Sequence, residues 1–196
     1  LGFPKKDIYL LINSIGCLDC RRLYIREIKR HYKKHNKQIC SDCRRRLEEN
    51  PLRVLDCKNE KCFLVKEEVP SILDYLCSEC RDHFKSVLDY LDYLNIPYIL
   101  DKTLVRGLDY YTKTVFEFYL DSKSNKISLG GGGRYDKLAE AIGGFEKPAA
   151  GVAFGVERLI QEMIQRGKKL KLPAPKLFLV QIGEPAKKMS FKILEQ

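Results

Sequence analysis

Eight cysteines in four short-range pairs constrain the fold of this chain more than any other feature of its sequence. The pairs are Cys17 and Cys20, Cys40 and Cys43, Cys57 and Cys62, and Cys77 and Cys80. Three have the C-x-x-C spacing and one has four intervening residues, and both spacings let two thiolates face one tetrahedral zinc ion. The pattern therefore predicts two four-cysteine sites. Each Zn²⁺ would be structural, since four thiolates leave no open position for a substrate.

The sequence does not determine how these pairs are grouped, because four pairs form two sites in three different ways. The same pattern is also compatible with reduced cysteines packed in a core, or with disulfide bonds in a secreted protein. The N-terminus shows no secretory leader, which disfavours the disulfides. If zinc is bound, we expect it to hold together a helical segment whose own hydrophobic core is thin.

The chain has 196 residues, enough for one ordinary domain or for one core with an insertion. Its composition, 44% hydrophobic and 32% charged, is typical of a soluble globular protein. No apolar run approaches the roughly 20 residues that a transmembrane helix needs, so we expect no membrane partner and a cytoplasmic location. Because the chain begins at Leu1 and ends at Gln196 within an apparent helix, we interpret it as part of a longer protein.

The net charge of +10 favours a polyanionic partner such as nucleic acid. Eight thiolates and two zinc ions would lower it to about +6, which weakens the case for such a partner without removing it. Eight cations lie on one predicted helix: Arg21, Arg22, Arg26, Lys29, Arg30, Lys33, Lys34 and Lys37. Such a helix, like Arg44–Arg46 after it, either tracks phosphates or is a solvated face. His31, His35 and His83 are predicted to be surface residues.

The hydrophobic pattern predicts one sheet that is interrupted by helices. Asp7–Ser14 and Tyr98–Leu100 are predicted strands, and Thr114–Leu120 pairs with Ile127–Leu129 around a turn at 121–126. A helix from Ser78 should end before Pro97, with an apolar stripe at Phe84, Val87, Leu88, Leu91 and Leu94. The fold class is therefore α+β, and the cysteine-rich helices interrupt a single core.

The C-terminal part is predicted to contain two helices, a linker and the start of a further domain. The helices cover 135–142 and 155–166, and the second ends at Gly167 and buries Val156, Leu159, Ile160, Met163 and Ile164. A linker follows at 171–176, then a strand at 177–181. The predicted segments are a core strand at 1–16, the insertion at 17–97, the rest of the core at 98–172 and the beginning of a new domain at 173–196.

Three motifs carry the residues best suited to chemistry. Leu104–Leu120 (LVRGLDYYTKTVFEFYL) combines Arg106, Asp109, Tyr110 and Tyr111 in a turn that leads into an apolar strand, which can hold an anion beside a small polar ring. Gly130–Asp136 (GGGGRYD) predicts a glycine-rich loop that lets backbone approach a ligand closely. Ala150–Leu159 (AGVAFGVERL) runs from a small-residue strand into a helix whose first turn carries an arginine, which suits phosphate.

Together these motifs closely resemble the histidyl-tRNA synthetase family of class II aminoacyl-tRNA synthetases. RGLDYYT at 106–112 matches its first histidine-specific signature, LGGGGRYDKL at 129–138 matches the second, and GVAFGVERL at 151–159 resembles class II motif 3. LLINSIG at 10–16 resembles the strand before the family's insertion, and NPLRVLD at 50–56 resembles a landmark within it. The resemblance covers nearly the whole chain and implies part of the class II antiparallel sheet, flanked by helices.

The resemblance also implies a reaction and roles for matching residues. Histidine and ATP, with Mg²⁺, would give histidyl-adenylate, and the histidyl group would pass to tRNA(His) on a homodimeric enzyme. Arg106 would be the catalytic residue and would contact both the α-phosphate and the histidine carboxylate. The implied histidine-binding residues are Arg106, Asp109, Tyr110, Tyr111 and Tyr135, with Asp109 orienting the arginine or the pocket. The implied ATP-binding residues are Arg106, Gly155 and Arg158.

The sequence departs from the family pattern because the motif 1 helix and the motif 2 arginine hairpin do not occur in it, and the anticodon-binding domain is barely begun. We therefore expect the 196-residue chain alone not to form adenylate. Two alternatives are a histidine-sensing regulatory subunit of ATP phosphoribosyltransferase and a zinc-stabilised nucleic-acid-binding module without catalysis. Arg158 argues against the first, since a sensor has no need of an ATP-binding arginine. The second leaves RGLDYYT unexplained.

Overall fold

A computed structural model of the protein describes residues 3–122, 125–168 and 178–194. The chain divides into two compact units, Leu1–Glu162 and Met163–Gln196. The first unit contains the sheet and the cysteine-rich helices. The division predicted from the sequence into four segments stays a prediction.

A five-stranded, mostly antiparallel sheet forms the base of the first unit. Its strands are β1 (Ile8–Ser14), β2 (Ile99–Leu100), β3 (Thr112–Ser122), β4 (Asn125–Arg134) and β5 (Ala150–Phe154), in the order β2-β1-β3-β4-β5. The pair β1 and β2 is parallel, and the other neighbouring pairs are antiparallel. β1 is a central strand, as its continuous apolar run predicts. The predicted α+β class, with an antiparallel sheet flanked by helices, is confirmed.

The β3–β4 hairpin is longer than predicted, because both strands extend into the segment 121–126 that the sequence assigned to a turn. Residues 123 and 124 of that turn lie outside the described residues. The predicted glycine loop is also wrong. Gly130–Gly133 continue β4 and pair with β3 on one side and β5 on the other. Neighbouring strands supply the hydrogen bonds that override the low intrinsic strand propensity of glycine.

The insertion between β1 and β2 consists of four helices joined by short 3₁₀ turns. These are α1 (Leu18–Lys34), α2 (Ser41–Glu49), α3 (Phe63–Glu67) and α4 (Ser78–Tyr93). Its core is not thin, because Tyr24, Ile28, Tyr32, Ile39 and Val54 are fully inaccessible to solvent. The same cluster of packed side chains includes Val115 of β3 and also Ile15 and Tyr111, which adjoin β1 and β3. The insertion and the sheet thus share one hydrophobic core.

Two predicted apolar faces are less buried than expected. In α4 only Phe84 of the predicted stripe is buried, and Leu94 just beyond the helix is 61% exposed. In α6 (Val156–Gln165) the side chains of Val156, Ile160 and Ile164 are exposed, although Gly167 ends the helix with φ +65° as predicted. The hydrophobic period identifies a face that can be covered, but it does not show what covers it.

The remaining helices are short. α5 (Leu138–Ala141) is shorter than the predicted helix at 135–142, and α7 (Glu184–Leu194) belongs to the second unit. The predicted linker at 171–176 lies outside the described residues, as does residue 177 of the predicted strand, and residues 178–181 form no strand. No helix within the described ranges combines the length and apolar character needed to cross a bilayer.

Candidate functional site

Arg106 belongs to the connection between β2 and β3. Its guanidinium lies against the glycine-rich part of β4. A Cβ atom added at Gly131 would lie 2.7 Å from Arg106 Nη1 and 2.7 Å from the carbonyl oxygen of Phe116. Any side chain at that position would displace the guanidinium from the sheet. The glycine therefore provides close approach, as the sequence predicts, although it does so from a strand and not from a loop.

Three tyrosines form an aromatic cluster beside this arginine. The ring centroids of Tyr110 and Tyr111 are 4.6 Å apart, and Tyr135 meets the two rings edge-on at 5.6 and 6.0 Å. Arg106 Cζ is 5.8 Å from the centroid of the Tyr111 ring, within the range of a cation–π contact. The neighbouring Tyr111 hydroxyl is the main cause that raises the pKa of Tyr110. One cation and three phenol groups thus share one face of the sheet.

The glycines also position these rings. A Cβ atom at Gly133 would lie 2.9 Å from Tyr111 Cδ1, and one at Gly151 of β5 would collide with the Tyr135 hydroxyl. Gly131 and Gly133 are two residues apart in β4 and therefore present the same face. This alternation explains why Arg106 and Tyr111 lie side by side on that face.

Glu117 of β3 also belongs to the site, although it is not among the residues predicted from the sequence. Its Oε2 atom is 3.5 Å from Arg106 Nη1, its Oε1 atom accepts a hydrogen bond from the Ser128 hydroxyl, and its side chain is only 16% exposed. Burial, followed by the Glu117 charge, raises the pKa of Tyr119 to about 12. The sequence signal for this residue is a charged side chain inside the apolar run VFEFYL, since a buried charge needs a partner.

Gly155 and Arg158 contact Leu129 and Ser128 of β4, respectively. Gly155 donates its N–H to Leu129 O at 2.9 Å, which joins the start of α6 to β4. Arg158 Nη1 donates to Ser128 O at 3.1 Å, and its side chain is exposed. Both arginines are thus connected to Ser128 of β4. Arg158 bonds to its carbonyl oxygen directly, and Arg106 is linked to its hydroxyl through Glu117.

Asp109 contacts the insertion. Asn50 Nδ2 donates a hydrogen bond to Asp109 Oδ1 at 2.8 Å, and Arg21 Nη1 approaches Asp109 O at 3.4 Å. The carboxylate is exposed, and the contacts found for it in the described residues are with the insertion and not with Arg106. Its predicted role as a histidine-binding residue stays a prediction.

The eight cysteines form two separate clusters, which resolves the grouping that the sequence left open. The root cluster is Cys17, Cys20, Cys77 and Cys80, at the beginnings of α1 and α4, and the tip cluster is Cys40, Cys43, Cys57 and Cys62. Within each cluster all four Sγ atoms lie within 4.8 Å of one another. Cys17 and Cys20 Sγ are 3.5 Å apart, and Cys40 and Cys57 Sγ are 3.9 Å apart. Tetrahedral Zn–S bonds of about 2.3 Å require sulfurs about 3.8 Å apart, so both clusters fit zinc.

The surroundings of the sulfurs also suit thiolates bound to a metal ion. Each C-x-x-C pair places its first cysteine at the N-cap of a helix, where the helix dipole favours negative charge. Backbone N–H groups donate to sulfur at Cys20, Cys40 and Cys62. Burial raises the pKa of Cys43 and Cys80, so four thiolates together need a cation to balance their charge.

A second polar contact joins the insertion to the end of the hairpin. Arg134 Nε donates to both carboxylate oxygens of Asp136 at 2.8 Å, and Arg134 Nη1 donates to His83 Nε2 at 3.1 Å. Nearby, Lys113 Nζ is 2.7 Å from Glu79 Oε1 of α4. His83 was predicted to be a surface residue, and this is wrong because it is half-buried against Arg134. His31 and His35 are half-buried as well, and their rings bond to Val65 O and to Gln38 Oε1.

Ion pairs neutralise part of the predicted basic helix. Arg22, Lys29 and Arg30 contact Asp19, Glu48 and Glu27, and Arg45 contacts Asp42 and Glu49. Arg26, Lys33, Lys34 and Lys37 are exposed and have no acidic partner in the part of the chain that the structure describes. The cationic surface available to a polyanion is therefore smaller than the sequence suggested.

Comparison with known proteins identifies the family. The model of the family described as histidyl-tRNA synthetase matches residues 52–159, which is more than half of the chain. The chain belongs to the histidyl-tRNA synthetase family. The histidine–tRNA ligase of Halothermothrix orenii is 49% identical over 186 residues, or 94% of this chain and 44% of that protein. A Clostridium botulinum histidine–tRNA ligase is 44% identical over 194 residues, or 97% of this chain and 45% of that protein.

A solved structure of this family has the same fold. The apo histidyl-tRNA synthetase of S. aureus superposes with a TM-score of 0.65 and is 34% identical, covering 98% of this chain and 47% of that one. The chain therefore spans slightly less than half the length of the relatives that it matches.

Proposed function

We propose that the protein to which this chain belongs is a histidine–tRNA ligase. It activates histidine with ATP to histidyl-adenylate and transfers the histidyl group to tRNA(His). The observation that carries the proposal is the Arg106 guanidinium, held on the glycine face of β4 beside Tyr110, Tyr111 and Tyr135. The names of the relatives, histidine–tRNA ligase, support the same activity.

In the first step a carboxylate oxygen of histidine attacks the α-phosphorus of ATP. The bond from that phosphorus to the bridging oxygen breaks, and pyrophosphate leaves with the electron pair. Negative charge increases on the α-phosphoryl oxygens as the pentacoordinate transition state forms. Arg106 stabilises this charge without reorganisation, because Glu117 and the flat glycine surface already hold the guanidinium in place.

Tyr110, Tyr111 and Tyr135 provide the side-chain specificity. Their hydroxyl groups can exchange hydrogen bonds with both nitrogens of an imidazole, and an apolar ring would leave them unpaired. Arg158, exposed at the start of α6, is suited to the outer phosphates of ATP, which enters with Mg²⁺ to offset part of its charge. Gly155 lies at the same turn, and a Cβ atom there would lie 3.4 Å from Cδ of Arg158.

Both alternatives explain less of the site. A regulatory subunit that senses histidine would need the tyrosines, but it has no use for Arg158 beside the strand that carries the Arg106 site. A nucleic-acid-binding module would need the exposed cations of α1, but it has no use for an arginine and three tyrosines over a glycine strand. The ligase uses all of these features.

The proposal is tested by histidine-dependent ATP–pyrophosphate exchange in the full-length protein. Replacing Arg106 with alanine should lower kcat/KM by about 10²–10³-fold, the typical effect of removing one transition-state donor, while the melting temperature stays close to that of the parent. Arg26→Ala, an exposed arginine on α1, is the matched control and should keep the parent rate. Equal exchange by Arg106→Ala and Arg26→Ala would exclude the proposed mechanism.

We further propose that each cysteine cluster holds one structural Zn²⁺. The support is the donor set, four sulfurs within 4.8 Å of one another, and the N–H···S bonds around it. Purified protein should contain two zinc ions per chain by elemental analysis. Cys20→Ser and Cys43→Ser should each remove one ion, because the residues belong to different clusters. Protein purified without chelators that contains no zinc would contradict the assignment.

The wider context of the enzyme is proposed on the family resemblance. The full-length protein is a cytoplasmic homodimer that binds tRNA(His). Exposed Lys33, Lys34 and Lys37 are the cations best placed to meet tRNA phosphates, since they carry no ion pair among the described residues. Sedimentation of the full-length protein should give twice the chain mass.

A further inference from the structure

The segment NPLRVLD at 50–56 lies outside the proposed catalytic site, yet its first residue contacts the motif that carries Arg106. Asn50 Nδ2 donates to Asp109 Oδ1 at 2.8 Å, across 59 positions of sequence. This bond is shorter than the 3.4 Å contact that Arg21 makes with the same residue.

Asn50 is held rigidly on both sides. Its N–H donates to Arg46 O at 2.8 Å, which caps the end of α2, and its carbonyl oxygen accepts from Arg53 N at 3.0 Å. The 3₁₀ turn Pro51–Val54 follows directly, and Pro51 and Val54 are buried. An amide fixed in this way can aim a hydrogen bond with little loss of side-chain entropy.

The tip cluster fixes the same segment from outside. Cys43 precedes Asn50 by seven residues and Cys57 follows it by seven, and both belong to this cluster. A metal ion there would close the loop that presents Asn50. The second contact to Asp109 comes from Arg21, the residue after Cys20 of the root cluster. Segments anchored by both cysteine clusters therefore meet at Asp109.

The turn that receives these contacts is weakly held by its own residues. Gly107, Leu108 and Asp109 are exposed, and a Cβ atom at Gly107 would meet nothing within 4 Å. The next two residues are Tyr110 and Tyr111, which line the proposed histidine pocket. A displacement of Asp109 would therefore shift the tyrosines before it shifted the sheet.

We propose that Asn50 is a positioning residue for the histidine pocket, through which the cysteine-rich insertion fixes the turn 106–111 by its hydrogen bond to Asp109. This inference rests on the proposed ligase function. Asn50 does not touch the substrates; it sets where Tyr110 and Tyr111 stand. The insertion thus contributes to recognition of histidine.

The test swaps the donor and the acceptor of the bond between Asn50 and Asp109 in the full-length protein. The activity is measured by ATP–pyrophosphate exchange. Asn50→Asp places two carboxylates against each other, and we expect the KM for histidine to rise about 10-fold, while the KM for ATP and the melting temperature change little. The double variant Asn50→Asp with Asp109→Asn restores one donor and one acceptor. It should bring the histidine KM back to within about 3-fold of the parent value.

Asn36→Asp is the matched control, since Asn36 is an exposed asparagine of the same insertion. It should leave the histidine KM unchanged. If Asp109→Asn alone abolishes pyrophosphate exchange, the double variant is replaced by a comparison of Asn50→Ala with Asn36→Ala. The histidine KM should then rise in Asn50→Ala and not in Asn36→Ala. An unchanged histidine KM in Asn50→Asp, or equal rises in the KM values of histidine and ATP, would overturn the inference. Absence of exchange in the parent protein would instead refute the ligase function.

Discussion

At the scale of single residues, the absence of a side chain at Gly131 decides where Arg106 can lie. The guanidinium and a Cβ atom cannot both occupy the space above β4, since they would be 2.7 Å apart. The backbone carbonyl of Phe116, at the same distance, leaves no direction in which a methyl group could escape. The position of Arg106 therefore depends on the lack of a side chain at Gly131.

Gly131→Ala should destabilise the protein and displace Arg106 together. We expect a loss of about 1–3 kcal/mol in the free energy of unfolding, as for other overpacked positions, and a lower rate of pyrophosphate exchange. Gly107→Ala is the control for stability, because a Cβ atom there meets nothing within 4 Å. Denaturant unfolding of both variants checks this. A Gly131→Ala variant as stable as Gly107→Ala would contradict the packing described here.

Glu117 should act on the reaction by holding Arg106 in place. Glu117→Gln keeps the size of the side chain and the acceptor for Ser128, but it removes the charge beside Nη1. We expect kcat for exchange to fall about 10-fold, because the guanidinium loses its fixed orientation. The pKa of Tyr119 should fall from its value of about 12, since the Glu117 charge contributes to it. The exposed Glu60 offers the matched control Glu60→Gln, and equal rates for both variants would count against the role.

At the scale of secondary structure elements, α4 is attached to the hairpin by a contact that depends on pH. Arg134 can only donate, so His83 Nε2 must accept in this hydrogen bond, which requires a neutral imidazole. Burial, followed by the charges of Arg134 and Lys113, lowers the pKa of His83, while Asp136 and Glu79 act in the opposite direction.

Stability should therefore fall as the medium becomes acidic. Below the unfolded-state pKa of about 6.5 the unfolded chain takes up a proton at His83 that the folded chain resists, so unfolding is favoured. His83→Gln retains an acceptor for Arg134 and should reduce the loss of stability between about pH 7 and 5.5. His35→Gln is the control, and denaturant melts across this range are the measurement. Identical pH profiles for the two variants would show that the contact has no such effect.

The elements themselves were largely predictable from the sequence. The strand at 8–14, the helix that begins at Ser78 and the hairpin after residue 112 follow from local apolar periodicity. The glycine strand was not predictable, because Gly130–Gly133 form a strand only when flanked by β3 and β5. For the same reason the cysteine grouping, Glu117 beside Arg106 and Asn50 beside Asp109 required the structure. Each of these contacts joins residues distant in sequence, which local patterns do not encode.

At the scale of the whole molecule, one continuous core and the root cluster connect the insertion to the sheet, whereas the tip cluster lies within the insertion. The root cluster joins the beginning of α1 to the beginning of α4, where the chain leaves the sheet and returns towards it. Cys17 follows Gly16, whose carbonyl accepts from Lys113 N in β3. Loss of the proposed zinc ion from the root cluster should therefore affect the sheet as well as the insertion.

Removal of metal by a strong chelator should lower the melting temperature by about 10 °C, equivalent to roughly 3 kcal/mol for a chain of this size. Added Zn²⁺ should restore the parent value, and added Mg²⁺ should not, since Mg²⁺ does not favour thiolate ligands. Differential scanning calorimetry provides the measurement. A melting temperature that is insensitive to both chelator and zinc would mean that the clusters are ordinary reduced cysteines.

The central claim is that Arg106 and the three tyrosines on the glycine face form a site for histidine activation. Pyrophosphate exchange by the full-length protein, with each of the twenty amino acids in turn, tests it most directly. We expect exchange with histidine and, at matched concentration, at least about 10³-fold less with phenylalanine, which leaves the hydroxyl groups unpaired. Exchange with another amino acid in preference to histidine, or with none, would contradict the account.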